Sequence, residues 1–265
     1  MILTKEVMQR GLDELVEREF IAQPPVAELP TPFDILSHAP QILHETPDAD
    51  LDNPKTWAWT IPPEIAIVEQ SNSLMPLAQR YFLWSLVYGV APRRYLEIGT
   101  DAGGSAMIVA GAVRALGLED FRGVCVDPVF KLTEATRDYL GGKFSFIEAK
   151  NSPDTLVEAG RLAGGLFDLV LVDGDHTYDY ALADILLSVP YVARGGYILV
   201  DDASHPQVRD AIAYALESLS LIDCGFMCRH TTSSDAYLPP IAEGAWQGEK
   251  FRSSGLYVLR KPLRK

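Results

Sequence analysis

Residues 94–105 have the sequence RYLEIGTDAGGS, in which a short apolar strand leads into a glycine-containing turn and then into a helix of small residues. The strand would bury Tyr95, Leu96 and Ile98. Glycines allow the backbone to approach a ligand closely, and the first turn of the following helix has N–H groups without partners inside the helix. This arrangement predicts a binding site for a nucleotide-like ligand at the turn.

Three further segments show an apolar run that ends in an acidic residue. They are GVCVD at residues 123–127, FDLVLVDGDH at residues 167–176 and GYILVDD at residues 196–202. Each run has the length of a strand, and segments of helical length separate them. Because right-handed crossovers bring the carboxyl ends of parallel strands to one edge of a sheet, we expect these acids to converge on one site.

The alternation of strands and helices predicts an α/β fold with a doubly wound, mostly parallel sheet. Strands are predicted near residues 94–99, 122–127, 144–148, 167–173 and 196–201, and two further β-rich runs lie at 221–228 and 255–260. Helices are predicted near residues 77–90, 104–116, 131–140, 153–163, 178–192 and 206–219. A loop at residues 229–254 separates the last two strands and is long enough to suggest a functional role.

The chain divides into an N-terminal helical and irregular cap or arm at residues 1–75 and one ligand-binding domain at residues 76–265. The first zone begins with an amphipathic helix near residues 7–20 and continues through a proline-rich, acidic stretch to residue 63. Such an arm could mediate contacts between copies of the chain in a homo-oligomer.

Composition limits the classes of partner. The chain has 265 residues, 48% hydrophobic content and a formal net charge of −13, which fits one soluble domain and disfavours nucleic acid as a partner. No apolar run is long enough to span a membrane and the N-terminus lacks a signal-peptide pattern, so we expect a cytoplasmic protein with a small-molecule partner. Its three cysteines lack the spacing of a disulfide framework or a zinc site.

These segments resemble the class I S-adenosylmethionine-dependent methyltransferases, and among them the metal-dependent O-methyltransferases of the catechol type and of bacterial natural-product sugars. The resemblance covers roughly residues 90–228 and a final strand, and it is strongest at residues 97–105 and in DGDHTY at 173–178. It implies a Rossmann-like seven-stranded sheet, S-adenosylmethionine as cofactor and methyl transfer to a hydroxyl group.

The residues of the turn themselves favour this cofactor over a dinucleotide. Asp101 stands where a dinucleotide-binding motif has its middle glycine, and its carboxylate would repel a pyrophosphate. S-adenosylmethionine carries positive charge instead, which Glu97 and Asp101 could serve, while Asp127 is placed to accept hydrogen bonds from the ribose. The full predicted cofactor set is Glu97, Gly99, Thr100, Asp101, Gly103, Ser105, Asp127, Ser152 and Asp173.

Some of these residues have ordinary structural alternatives. Glu97 could be a simple strand-end acid, and Asp127 and Ser152 could cap helices. Ser152 and its neighbour Asn151 are assigned to the adenine only by the resemblance.

Asp173, Asp201 and Asp202 form the predicted metal site. Carboxylates at adjacent strand ends suit Mg²⁺ or another hard divalent cation, which leaves positions for oxygens of the substrate. The catechol-type enzymes have two aspartates and an asparagine here, whereas the sugar type has acids at both positions of the second pair, which this chain resembles better. The alternative is that Asp201 or Asp202 caps the helix that begins at Pro206.

His176 is the predicted general base, because it lies three residues after Asp173 at the family's position for a basic residue, and an imidazole suits proton removal near neutral pH. The structural alternative for His176 is to cap the helix after the fourth strand. His205 is the second possibility, with a role at the helix entry as its alternative. A vicinal diol or an ortho-oxygenated phenol would complete the coordination of the cation, and sugar and phenol both stay open. Two other functional classes are a non-catalytic partner protein of methyltransferase fold and a nicotinamide-dependent oxidoreductase.

Overall fold

The computed structural model describes residues 62–229 and 255–263, which form seven strands and the helices that connect them. The strands are β1 (Arg94–Ile98), β2 (Arg122–Asp127), β3 (Phe144–Glu148), β4 (Phe167–Val172), β5 (Val192–Val200), β6 (Ile222–Arg229) and β7 (Gly255–Arg260). The helices are α1 (Ile67–Gln70), α2 (Leu77–Val90), α3 (Gly104–Ala115), α4 (Glu134–Leu140), α5 (Pro153–Ala163), α6 (Tyr178–Ser188) and α7 (Pro206–Ser218). Short 3₁₀ turns occupy Pro63–Ala66, Gly141–Lys143 and Val189–Tyr191.

The strands form one sheet in the order β3-β2-β1-β4-β5-β7-β6. Strands β1 to β5 are parallel, and β7 runs antiparallel between β5 and β6. The central strand β1 pairs with β2 on one side and β4 on the other, so that Leu96 lies between Val124 and Val170. The predicted doubly wound, mostly parallel sheet of seven strands is confirmed, and its topology brings the carboxyl ends of β1, β2, β4 and β5 to one edge.

Both faces of the sheet are buried. Tyr95 of β1 packs into the layer that contains α2 and α3, whereas Leu96 and Ile98 pack into the layer that contains α5, α6 and α7. Strands buried on both faces have nearly continuous apolar sequences, which is why the strands were readily predicted.

The predicted boundaries fail around residue 190. The helix predicted to reach residue 192 ends at Ser188, because Pro190 cannot continue it and lies in a 3₁₀ turn. Strand β5 then begins at Val192 rather than near residue 196, and the pairing with β4 shifts register between Phe167 and Leu169. The Gly195-Gly196 pair looks like a turn in the sequence but lies within the strand, with Gly195 at a φ of 78°.

Residues 62–75, the described part of the predicted N-terminal zone, pack onto the domain. Ile67, Val68 and Met75 are buried in the core beside α3. The predicted amphipathic helix near residues 7–20 and the loop at 230–254 lie outside the described residues. Among the helices that the structure describes, none combines the length and the apolar character that crossing a bilayer requires.

Candidate active site

The turn between β1 and α3 has an unusual backbone that its glycines make possible. Gly99, Asp101 and Gly103 have φ values of 85°, 46° and 81°, in the left-handed region. A Cβ atom on Gly99 would lie 2.0 Å from the carbonyl oxygen of Asp173, so the end of β1 lies directly against the end of β4. The turn therefore depends on glycine for its conformation and for its packing.

Replacing Gly99 with alanine is expected to lower the free energy of unfolding by about 3 kcal/mol or more, because the new methyl group adds a steric clash to the strain of a positive φ. Gly117 is the matched control, since its φ is 64° and a Cβ atom there would meet nothing within 4 Å. Gly117→Ala is expected to cost only about 1 kcal/mol. Urea unfolding measures both, and equal losses would contradict the close packing at Gly99.

A cavity of about 510 Å³ opens at this edge of the sheet. Its walls are the glycine turn with the start of α3, the residues after β4, the acid pair after β5, and the chain between α1 and α2 together with Gln79 of α2. The predicted site residues on its wall are Gly99, Thr100, Asp101, Ser105, Asp173, His176, Asp201 and Asp202. The sequence pattern gave no signal for the residues at 72–76, which form the fourth wall.

Glu97 does not lie on the wall of this cavity. Its carboxylate is fully buried behind the turn, where it accepts hydrogen bonds from the hydroxyls of Tyr95 at 2.6 Å and Ser105 at 2.8 Å. Burial raises the pKa of Glu97 to about 7, although these hydrogen bonds oppose the shift. Glu97 is thus connected to the cavity through Ser105, which lines it.

Asp127 holds the glycine turn in place. One carboxylate oxygen accepts from the backbone N–H of Asp101 at 2.8 Å, and the other accepts from that of Val129 at 2.7 Å. Each oxygen keeps a second lone pair for a further donor. The side chain of Asp101 forms an exposed ion pair with Lys131, with 2.5 Å between the carboxylate oxygen and Nζ.

A second cavity of about 470 Å³ lies on the other side of Gly99 and Gly174, which line both cavities. Much of its wall is apolar, formed by Ile98, Val126, Pro128, Ala149, Leu182, Ala183 and Leu187. Asn151 also lines it and donates from Nδ2 to Asp184 Oδ1 at 2.9 Å. Burial raises the pKa of Asp184 to about 6.

Ser152 takes the capping role that was its structural alternative. Its hydroxyl accepts from the backbone N–H of Thr155 at 3.2 Å, at the start of α5, and Ser152 lines neither cavity. The neighbouring Asn151 is the residue that faces the second cavity. Asp184, on α6, was missed because one acid within a helix carries no motif.

The acids at the ends of β4 and β5 meet in the first cavity. Ligand atoms of Asp173, His176 and Asp202 all lie within 4.8 Å of one another, a grouping that could hold a metal ion. His176 Nε2 lies 3.0 Å from Asp202 Oδ2. Asp201 is more deeply buried, and one of its carboxylate oxygens lies 3.3 Å from the side-chain amide of Gln79.

Electrostatics penalise negative charge in this cluster. Burial and then the neighbouring Asp201 and Asp202 raise the pKa of Asp173 well above its usual range. Burial is also the main cause that raises the pKa of Asp201, to about 7. It raises the pKa of Asp202 as well, although His176 opposes that shift. A bound cation would relieve this repulsion.

Neither Asp201 nor Asp202 caps α7 through its side chain. The helix begins after His205 without a side-chain cap, and it is the backbone carbonyl of Asp202 that accepts from His205 N, at 2.7 Å. His205 is 4% exposed, does not line the cavity, and its ring centre lies 6.5 Å from that of His176. The structure therefore places His176, and not His205, on the cavity wall.

Comparison with known proteins gives consistent similarities. A family model described as a methyltransferase domain matches residues 96–203. Rhamnosyl O-methyltransferases of Mycobacterium bovis and Mycobacterium tuberculosis are 24% identical over 185 residues, which cover 65% of this chain and 72% of theirs.

Two solved structures share the fold. The O-methyltransferase TomG from Streptomyces achromogenes, involved in tomaymycin synthesis and in complex with SAM, aligns with a TM-score of 0.52 and 16% identity over 96% of this chain and 98% of its own. An O-methyltransferase from Bacillus cereus in complex with SAH aligns with a TM-score of 0.50 and 15% identity over 74% of this chain and 89% of its own.

Proposed function

We propose that this class I S-adenosylmethionine-dependent O-methyltransferase methylates a hydroxyl group of a small molecule. A divalent cation, for which Mg²⁺ is the first candidate, assists the transfer. The observation that carries the proposal is the cluster of Asp173, His176 and Asp202 in the same cavity as the glycine turn. That cavity can hold a positively charged methyl donor beside oxygen ligands for a metal.

The two cavities fit the two ends of the cofactor. They meet at Gly99 and Gly174, so one extended molecule can occupy both. The second cavity has an extensive apolar wall and also polar groups, among them Asn151 and Asp184, and this combination suits the adenine ring. The first cavity suits the positively charged methionine end. Asp127 lines neither cavity, but its chain neighbours Val126 and Pro128 line the second one. From there its carboxylate would accept from the ribose.

The donor groups of the first cavity fit a divalent cation. Asp173 and Asp202 would hold it, with Asp201 beside them as a third carboxylate, a set of oxygen ligands that suits Mg²⁺. Participation of the His176 nitrogen would favour a softer ion such as Zn²⁺ or Ni²⁺. When bound, the cation supplies charge that orients the acceptor hydroxyl and makes it more acidic.

With the cation held by the carboxylates alone, His176 is not a ligand and acts as the general base. If Nε2 donates its hydrogen to Asp202 at 3.0 Å, the ring is held in one orientation and Nδ1 is the basic nitrogen. Its side chain is 31% exposed on the cavity wall, so an acceptor can reach it.

The acceptor is a small molecule with two neighbouring oxygens. Chelation favours a vicinal diol or an ortho-oxygenated phenol, and the similarity to rhamnosyl O-methyltransferases supports the sugar. The net charge of −13 supports a small-molecule partner over nucleic acid. Assembly of copies through residues 1–75 stays a prediction.

The proposal is tested in two steps. Calorimetry with S-adenosylhomocysteine measures cofactor binding without any acceptor. Transfer of a labelled methyl group is then measured over a panel of sugars, vicinal diols and phenols, with Mg²⁺, Mn²⁺ or Zn²⁺ and without metal. Failure to bind S-adenosylhomocysteine would refute the cofactor assignment, and metal-independent transfer would refute the cation.

Asp127→Ala is expected to weaken S-adenosylhomocysteine binding by roughly 1.5–3 kcal/mol, because the ribose hydroxyls lose a charged acceptor. Glu148 is the matched control, since it is the exposed acid that pairs with Asp127 on the neighbouring strand, whereas Asp127 is buried beside the glycine turn. Calorimetry on both variants decides the matter. Unchanged affinity in a folded Asp127→Ala protein would rule out the assignment to the ribose.

A further inference from the structure

The chain between α1 and α2, residues 71–76, lies directly on the glycine turn. Asn72 Nδ2 donates to the carbonyl of Ala102 at 3.2 Å. A Cβ atom on Gly104 would lie 2.1 Å from the backbone nitrogen of Ser73, so the two backbones are in close contact at the start of α3. Residues 72–76 form the wall of the first cavity that faces the turn.

The 71–76 segment has little backbone bonding of its own. Among the described residues, no backbone-to-backbone hydrogen bond involves residues 72–75, and a single side chain provides one local contact, from Met75 N to Ser73 Oγ at 3.2 Å. A segment without a hydrogen-bonded ladder has several accessible conformations unless another group restricts them.

Arg80, in the first turn of α2, supplies that restriction. Its Nε donates to the carbonyl of Met75 at 2.7 Å, and its Nη2 donates to that of Ser73. Its Nη1 donates to the carbonyl of Ser71 at 3.2 Å and to that of Val68, in α1, at 3.4 Å. One planar guanidinium thus binds three carbonyl oxygens of the segment and one of α1, a geometry that an ammonium group cannot reproduce.

We propose that Arg80 is a positioning residue that fixes the 71–76 segment against the glycine turn, so that the cavity is already shaped for the methionine end of the cofactor. This inference rests on the proposed function for the identity of the ligand. Arg80 itself does not line the cavity and acts through the backbone that it binds.

The expected effect falls on binding and not on turnover. If loss of the guanidinium leaves only a small fraction of molecules with the segment in place, the apparent Kd rises by the inverse of that fraction. Arg80→Met and Arg80→Lys are expected to raise the Kd for S-adenosylhomocysteine by about 10- to 100-fold and the KM for S-adenosylmethionine in parallel. The kcat at saturating cofactor should stay near the wild-type value.

Arg94→Met is the matched control. Its guanidinium also binds a backbone carbonyl, that of Ala163 at 3.1 Å, but at the amino end of β1, away from the cavity. Arg94→Met is expected to change thermal stability without changing the Kd. In Arg80→Ala, free guanidinium at millimolar concentration is expected to restore part of the affinity, which a general loss of stability would not allow.

Hydrogen exchange in the ligand-free protein tests the contact separately from the function. Arg80→Met should speed exchange of the Ser71 and Met75 amides, which donate to Ile67 O and Ser73 Oγ, while α5 and α7 keep wild-type protection. Wild-type exchange and wild-type affinity in a folded Arg80→Met protein would overturn the proposal, as would a fall in kcat with unchanged Kd. If the wild-type chain itself failed to bind S-adenosylhomocysteine, the proposed function would fall, and the exchange experiment would still decide the role of Arg80.

Discussion

Replacing His176 with alanine or glutamine is expected to lower kcat by roughly 10²–10⁴-fold, the usual range for loss of a positioned general base. The imidazole lies on the cavity wall beside Asp173, with Nε2 3.0 Å from Asp202 Oδ2. In the proposed mechanism its removal leaves the acceptor hydroxyl without a group to take its proton. Cofactor affinity should change little, because the proposed role of His176 is toward the acceptor. Single-turnover methyl transfer and calorimetry measure the two effects.

His205 provides the internal comparison. It is buried at the entry to α7, with its ring centre 6.5 Å from that of His176. His205→Gln is expected to affect stability more than kcat. Near wild-type turnover of the His176 variants across the neutral pH range would show that another group takes the proton, and a large kcat loss confined to the His205 variant would identify that group.

The sheet and its edge of acids could be predicted because both follow from local sequence. Strands buried on two faces are apolar runs, and an acid at the end of each run marks the ligand edge. The predicted start of β5 was wrong because Gly195 and Gly196 resemble a turn. The strand conformation of these two glycines depends on Lys261, whose backbone accepts from Gly195 N and donates to the carbonyl of Gly196, both at 2.9 Å.

The position of Glu97 could have been predicted from the alternation of side chains along β1. Side chains alternate along a strand, so Glu97 points to the same face as Tyr95, beneath α3, and not toward the ligand edge. Its two partners, Tyr95 and Ser105, stand two and eight positions away.

Asp184 and Arg80 could not have been found in this way. Asn151 meets Asp184 across 33 positions of sequence, and the carbonyls bound by Arg80 belong to a segment with no motif. Contacts of this kind are set by how helices pack and not by the pattern of any one segment.

Removing divalent cations with EDTA is expected to abolish methyl transfer, and Asp173→Asn and Asp202→Asn are expected to lower it by at least about 10²-fold even with metal present. The reason is that burial raises the pKa of Asp173 and Asp202, and repulsion from Asp201 and Asp202 raises that of Asp173 further, so the charged forms favour a bound cation. Asp168→Asn is the control, because this acid lies at the opposite edge of the sheet, where it accepts from the backbone N–H groups of Arg93 and Arg94. The Asp168→Asn protein should keep wild-type methyl-transfer activity.

The stability of the metal-free protein gives a second readout of the same cation site. The folded pKa of Asp201 is about 7, above its ordinary value of 3.8, so the folded state holds a proton that the unfolded state releases between these values. Metal-free stability should therefore fall as the pH rises through that window, and Mg²⁺ should reverse the fall. Asp201→Asn should weaken this pH dependence and raise the metal-free midpoint near neutral pH, because it removes a buried charge. Full activity after EDTA treatment, together with full activity in the Asn variants at residues 173 and 202, would exclude a catalytic cation at this edge of the sheet.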